Sequence, residues 1–109
     1  MFSPMRMIAS FVILAVLTAP VTAQAQDPVR HGRALVGEFC ASCHAIGPRG
    51  RSPHHSAPPF RELGRSFDLD DFPRLLARGI SATHPDMPEI KFSDDDARAV
   101  RDYVRTIQR

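Results

Sequence analysis

From Met7 to Ala19 the chain is apolar and uncharged, and beyond that leader its hydrophobic positions recur at helical spacing. Val29, Val36 and Phe39, with Gly32 and Leu35 beside them, stand three, four and seven apart. This predicts a helix over about residues 28–40 with one buried face. Asp27 followed by Pro28 suits its start, because an aspartate oxygen accepts a free backbone N–H and proline costs least in the first turn. Ala97, Val100, Val104 and Ile107 form an i, i+3, i+7, i+10 stripe flanked by Tyr103, which predicts a last helix packed on one side. Ser93 stands at its cap, Asp96 at the reciprocal capping-box position, and Asp94, Asp95 and Asp96 complement the positive end of the helix dipole. Residues 70–79 carry acids and Pro73 at the start, Arg78 in the last turn and Gly79 just past the end, the signature of a second main helix. Phe60–Leu63 reads as one helical turn ended by Gly64. The Gly, Pro and Ser of residues 45–59 predict a loop, and the two prolines of residues 80–92 a second irregular segment. No stretch alternates as a strand does.

The leader changes the picture of where the domain works. A single charge at Arg6, a 13-residue apolar run and Ala23-Gln24-Ala25 match the three regions of a secretory signal peptide, with cleavage expected after Ala25. The run is shorter than the roughly 20 residues that span a bilayer as a helix, and Pro20, Thr22, Gln24 and Gln26 end it early. An uncleaved anchor is the alternative. Both readings put the domain outside the cytoplasm, in the periplasm or otherwise exported, and cleavage would leave no stable membrane span. Removing residues 1–25 from the 109 leaves 84, residues 26–109, a single domain of a size that usually needs a staple beyond its apolar core. A disulfide is a poor one here. The only two cysteines are three positions apart, and so short a loop removes little unfolded-state entropy. A bound cofactor serves better.

Charge narrows the partners little. The net charge is +2, or +1 without Arg6, and basic residues are interleaved with acids along the whole chain. A nucleic-acid surface needs a basic face, so none is expected.

The chemistry lies at Cys40-Ala41-Ser42-Cys43-His44, a C-x-x-C-H motif. At a helix end, two thiols three residues apart reach the two vinyl groups of one porphyrin, and the next residue, His44, is held near enough to the iron to donate an imidazole nitrogen. C-x-x-C also serves thiol–disulfide enzymes and zinc half-sites. The first wants the motif between a strand and a helix, and the second wants two more spaced ligands, whereas His54 and His55 are adjacent. For the iron's sixth position a count decides: of four methionines, Met1, Met5 and Met7 lie in the leader, leaving Met87. It stands between Pro85-Asp86 and Pro88, an odd setting for a core residue. His84, three residues earlier, is the best substitute; His31, His54 and His55 rank lower.

In these features the chain resembles the class I c-type cytochromes over essentially its whole length after the leader. Gly32 lies eight residues before Cys40, where that family uses glycine so that the first helix crosses the last closely, and Tyr103 resembles the aromatic partner on the last helix. Pro58, in Ala57-Pro58-Pro59-Phe60, stands where the family has a proline whose carbonyl accepts the Nδ1–H of the ligating histidine; Pro59 is equally placed in sequence. Val36 replaces a frequent aromatic. The resemblance implies an all-α fold, three main helices plus short turns wrapped around one covalently bound haem c. It implies attachment through Cys40 and Cys43, with His44 and Met87 as axial ligands of the haem iron. Arg49 or Arg51 is a candidate partner for a haem propionate. The expected activity is single-electron transfer by a monomer to and from redox proteins, a dehydrogenase, reductase or oxidase, without enzymatic chemistry. The alternative is a haem enzyme subunit or ligand sensor whose sixth position is open or histidine-ligated. Cytochromes of the c-prime type carry the motif near the C-terminus of a four-helix bundle; here it comes early.

Overall fold

The computed structural model describes residues 18–20, 27–80 and 85–109. Residues 7–17 of the expected leader run, its Ala23 and Ala25 cleavage site, and His84 lie outside the described residues. Helix α1 spans Pro28–Phe39, with the Val29 N–H donating to Asp27 Oδ1 at 3.0 Å. It stops one residue short of the predicted end: Cys40 is the C-cap, its N–H donating to the Val36 carbonyl at 2.9 Å. A six-residue 3-10 helix follows at Phe60–Arg65. It runs through Gly64 rather than ending there, because the Gly64 N–H finds the Gln108 side-chain oxygen at 2.7 Å and the turn closes later, from Ser66 N–H to the Leu63 carbonyl.

Helix α2 is shorter than predicted, spanning Phe72–Arg78. Its first turn holds no acid. Asp70 instead reaches Arg105 on the last helix, and Asp71 occupies the N-cap without a side-chain hydrogen bond. Pro73 sits in the first turn as expected, and Gly79 ends the helix at φ +98°, a conformation that disfavours any residue with a Cβ. Helix α3 spans Asp94–Thr106, with Ser93 Oγ accepting the Asp96 N–H at 3.2 Å. The Asp96 carboxylate turns to another task, lying 2.6 Å from His31 Nε2 on α1. Among the described residues no strand forms. One antiparallel bridge, Ile80 to Ile90, pinches the second irregular segment at its neck.

The architecture rests on α1 against α3. Gly32 is buried in the crossing, where a Cβ would stand 1.9 Å from the Ala99 carbonyl oxygen and 3.0 Å from Tyr103 Cβ. Val36, Val100 and Val104 are fully enclosed beside it, so a valine at position 36 fills the contact without an aromatic ring. The Tyr103 hydroxyl donates to the Ile46 carbonyl at 2.6 Å, fastening the chain just after the C-x-x-C-H motif to α3. Phe60, Leu63, Phe72, Leu76 and Phe92 complete the core. Phe39, expected on the buried face of α1, is 45% exposed and turns its edge to Phe92, with ring centroids 5.5 Å apart. Among the described residues no helix is long and apolar enough to cross a membrane.

Replacing Gly32 with Ala forces α1 away from α3, since the obstacle is backbone and cannot rotate aside. We expect a loss of at least about 1–3 kcal/mol, the usual cost of overpacking, in a denaturant titration of the purified protein. Ala34→Gly, at an exposed position of the same helix, serves as the control for helix propensity and costs no more than about 1 kcal/mol.

Candidate functional site

Cys40, Cys43 and His44 sit on one tight turn at the end of α1. Cys43 N–H and His44 N–H both donate to the Cys40 carbonyl, at 3.2 and 2.9 Å. The turn is held from outside as well. His54 N–H donates to the Cys43 carbonyl at 3.1 Å, Phe60 N–H to the Ala45 carbonyl at 2.9 Å, and Ala45 N–H to Ser52 Oγ at 3.0 Å. The glycine- and proline-rich loop is therefore tied to the motif at Cys43 and to itself and the 3-10 helix at Ala45, despite having no regular structure of its own.

His44 Nδ1 lies 2.8 Å from the Pro58 carbonyl oxygen. A carbonyl only accepts, so the proton is on Nδ1 and the lone pair is on Nε2. The ring is further restrained by Phe60, 4.9 Å away between centroids. Of the two prolines left open by the sequence, Pro58 supplies the carbonyl; Pro59 instead takes the N-cap of the 3-10 helix.

Met87 lies on the pinched segment. Ile80 N–H donates to the Ile90 carbonyl at 3.1 Å and Phe92 N–H to the Leu76 carbonyl at 3.0 Å, so the chain leaves α2 and returns beside it. The tip carrying Met87 is thereby delivered to the same cavity that Cys40, Cys43 and His44 line. That cavity measures about 450 Å³ and its walls are largely apolar, with Phe39, Phe60, Phe67, Phe72 and Phe92 among them. A contact between the two loops crosses its edge: His54 Nε2 is 3.0 Å from Asp86 Oδ2. His54 is consequently half-buried, not exposed as its loop position implies, and its ring stacks on His55.

Neither thiol is in a disulfide, and burial pushes the Cys40 thiol from its usual 9.0 up to about 11. Thiol–disulfide enzymes rely on the reverse, a depressed thiol pKa. Zinc finds no support either, since among the described residues no three His, Cys, Asp or Glu side chains gather to hold an ion. An apolar slot with two thiols, an imidazole carrying a free Nε2 and a thioether does fit an iron porphyrin.

Arg49, Arg51 and Arg78 are all exposed, and of the three only Arg78 lines the cavity. Its position at the end of α2, before a glycine that turns the chain toward Met87, was the available signal. Nothing local marked Phe39 and Phe67 as cavity walls, because apolar periodicity does not distinguish a protein neighbour from a cofactor.

A family model described as cytochrome c oxidase, cbb3-type, subunit III matches residues 27–104. Comparison with curated proteins and with solved structures gives no match.

Ser52→Ala removes the acceptor of the largely buried Ala45 N–H. We expect a loss of about 1–3 kcal/mol in a denaturant titration, the cost of an unsatisfied buried donor. Ser52→Thr, which keeps the hydroxyl, recovers most of it.

Proposed function

The chain belongs to the family of cytochrome c oxidase, cbb3-type, subunit III, a c-type cytochrome domain, and from that premise we propose that it carries single electrons through one covalently attached haem c. The observation that carries this reading is the placement of His44. Its Nδ1–H is held by the Pro58 carbonyl while the two motif thiols and Met87 line the same apolar cavity. Cys40 and Cys43 form the thioether links. His44 Nε2 and the Met87 thioether sulfur would ligate the haem iron. When bound, the haem supplies a ferric/ferrous couple.

The residues of the chain then do three things. The Pro58 carbonyl fixes the tautomer and orientation of His44 and raises its basicity. The phenylalanine walls keep water from the iron, which disfavours the extra positive charge of the ferric form. The Met87 thioether favours the ferrous form further. With His44 and Met87 both ligating the iron, electrons would pass by outer-sphere transfer, without a bound substrate. The working place is the periplasm or another exported setting, reached after cleavage behind Ala25. The partners are redox proteins, of which an oxidase accords best with the family's description.

Protein matured in an export-competent host should keep a haem stain on a denaturing gel, and Cys40→Ser combined with Cys43→Ser should abolish it. Absence of stain in the parent protein overturns covalent attachment. Met87→Ala should turn the iron high-spin and open to carbon monoxide, to which the parent is closed. A variant with the parent's spectrum would move the sixth ligand to His84.

A further inference from the structure

We propose that Arg78 binds a propionate of the haem, which rests on the reading of the cavity as a haem site. Haem carries two carboxylates on an otherwise hydrocarbon rim, and a carboxylate in an apolar setting is costly unless a charged donor meets it. Among the described residues lining the cavity, Arg78 is the one arginine or lysine; the acid there, Asp86, is engaged with His54.

The state of its neighbours singles Arg78 out. A groove between α2 and α3 is bordered by Arg74, Arg78, Arg98 and Arg101, and Arg78 is common to that groove and the cavity. Arg74 pairs with Asp71 at 3.2 Å, Arg101 with Asp102 at 2.9 Å, and Arg98 with Asp95, while Arg105 nearby on α3 takes Asp70. Each of those charges is answered by a carboxylate of the chain. Arg78 has no such partner among the described residues. Asp94 borders the groove too, without an ion pair among the described residues, so the groove as a whole is close to neutral, and Arg78 is its one guanidinium that reaches the cavity.

The competing explanation is a solvated arginine that favours the negative end of the α2 dipole. The two differ in what they do to the iron. A guanidinium paired with a propionate offsets that carboxylate's negative charge close to the haem, so removing it stabilises the ferric form. A solvated helix-end arginine is screened and acts no more strongly than any other on the surface.

The experiment is a redox titration of haem-loaded parent, Arg78→Gln, Arg78→Lys and Arg74→Gln. At a poise equal to the parent's midpoint, Arg78→Gln should shift the ferric-to-ferrous ratio about tenfold toward ferric, a fall of 59 mV for one electron. Arg78→Lys should recover at least half of that shift, and Arg74→Gln should stay within about twofold of the parent. Arg78→Gln behaving as Arg74→Gln does overturns the pairing. The unmodified ferrous protein supplies a second measurement. Nuclear Overhauser contacts between the Arg78 side chain and propionate methylene protons are expected, and their absence from an otherwise assigned spectrum overturns it too. A parent protein that takes up no haem would instead defeat the cofactor reading.

Discussion

The approach of α1 to α3 at Gly32 governs nearly everything else in this molecule. With only a hydrogen at position 32, the Ala99 carbonyl can lie against the α1 backbone. This close contact encloses Val36, Val100 and Val104. His31 and Asp96 meet on one side of the crossing, and Tyr103 reaches over it to the Ile46 carbonyl. Because α1 is fixed in this way, its C-terminal turn, with both thiols and His44, is presented at a defined place. A domain of this size has too small a core to position a site by bulk packing alone, so one rigid crossing takes over that role.

From that crossing two irregular segments wrap the cavity, and each is made definite by a few backbone hydrogen bonds. The loop after the motif is secured by Ser52, His54 and Phe60, and so brings the Pro58 carbonyl to His44. The segment after α2 is pinched by the Ile80–Ile90 bridge and so brings Met87 to the cavity. His54 and Asp86 link the two. A side chain projecting from a constrained loop between prolines is aimed by its backbone, which suits a ligand better than a helix face whose rotamers depend on neighbours.

What could be read from the chain alone was whatever depends on near neighbours. The periodicity of α1 and α3, the Asp27 and Ser93 caps and the stop at Gly79 are local chemistry, and the structure matches them. The motif spacing and the lone methionine outside the leader were equally plain. Features that depend on distant partners were not. Asp70 pairs with Arg105, so it does not enter the first turn of α2; Asp96 faces His31, so its carboxylate serves the crossing. Phe39 belongs to the apolar pattern of α1 yet faces the cavity. The choice of Pro58 over Pro59, and of Arg78 over Arg49 or Arg51 as a cavity residue, needed the loop paths in space.

The central claim is an iron held between His44 and Met87, and the ferric absorption spectrum of the purified protein tests it most directly. A weak sulfur-to-iron band at the red end, together with low-spin features in both redox states, is the predicted result. A ferric spectrum without that band would contradict methionine ligation, whatever the strength of the haem signal.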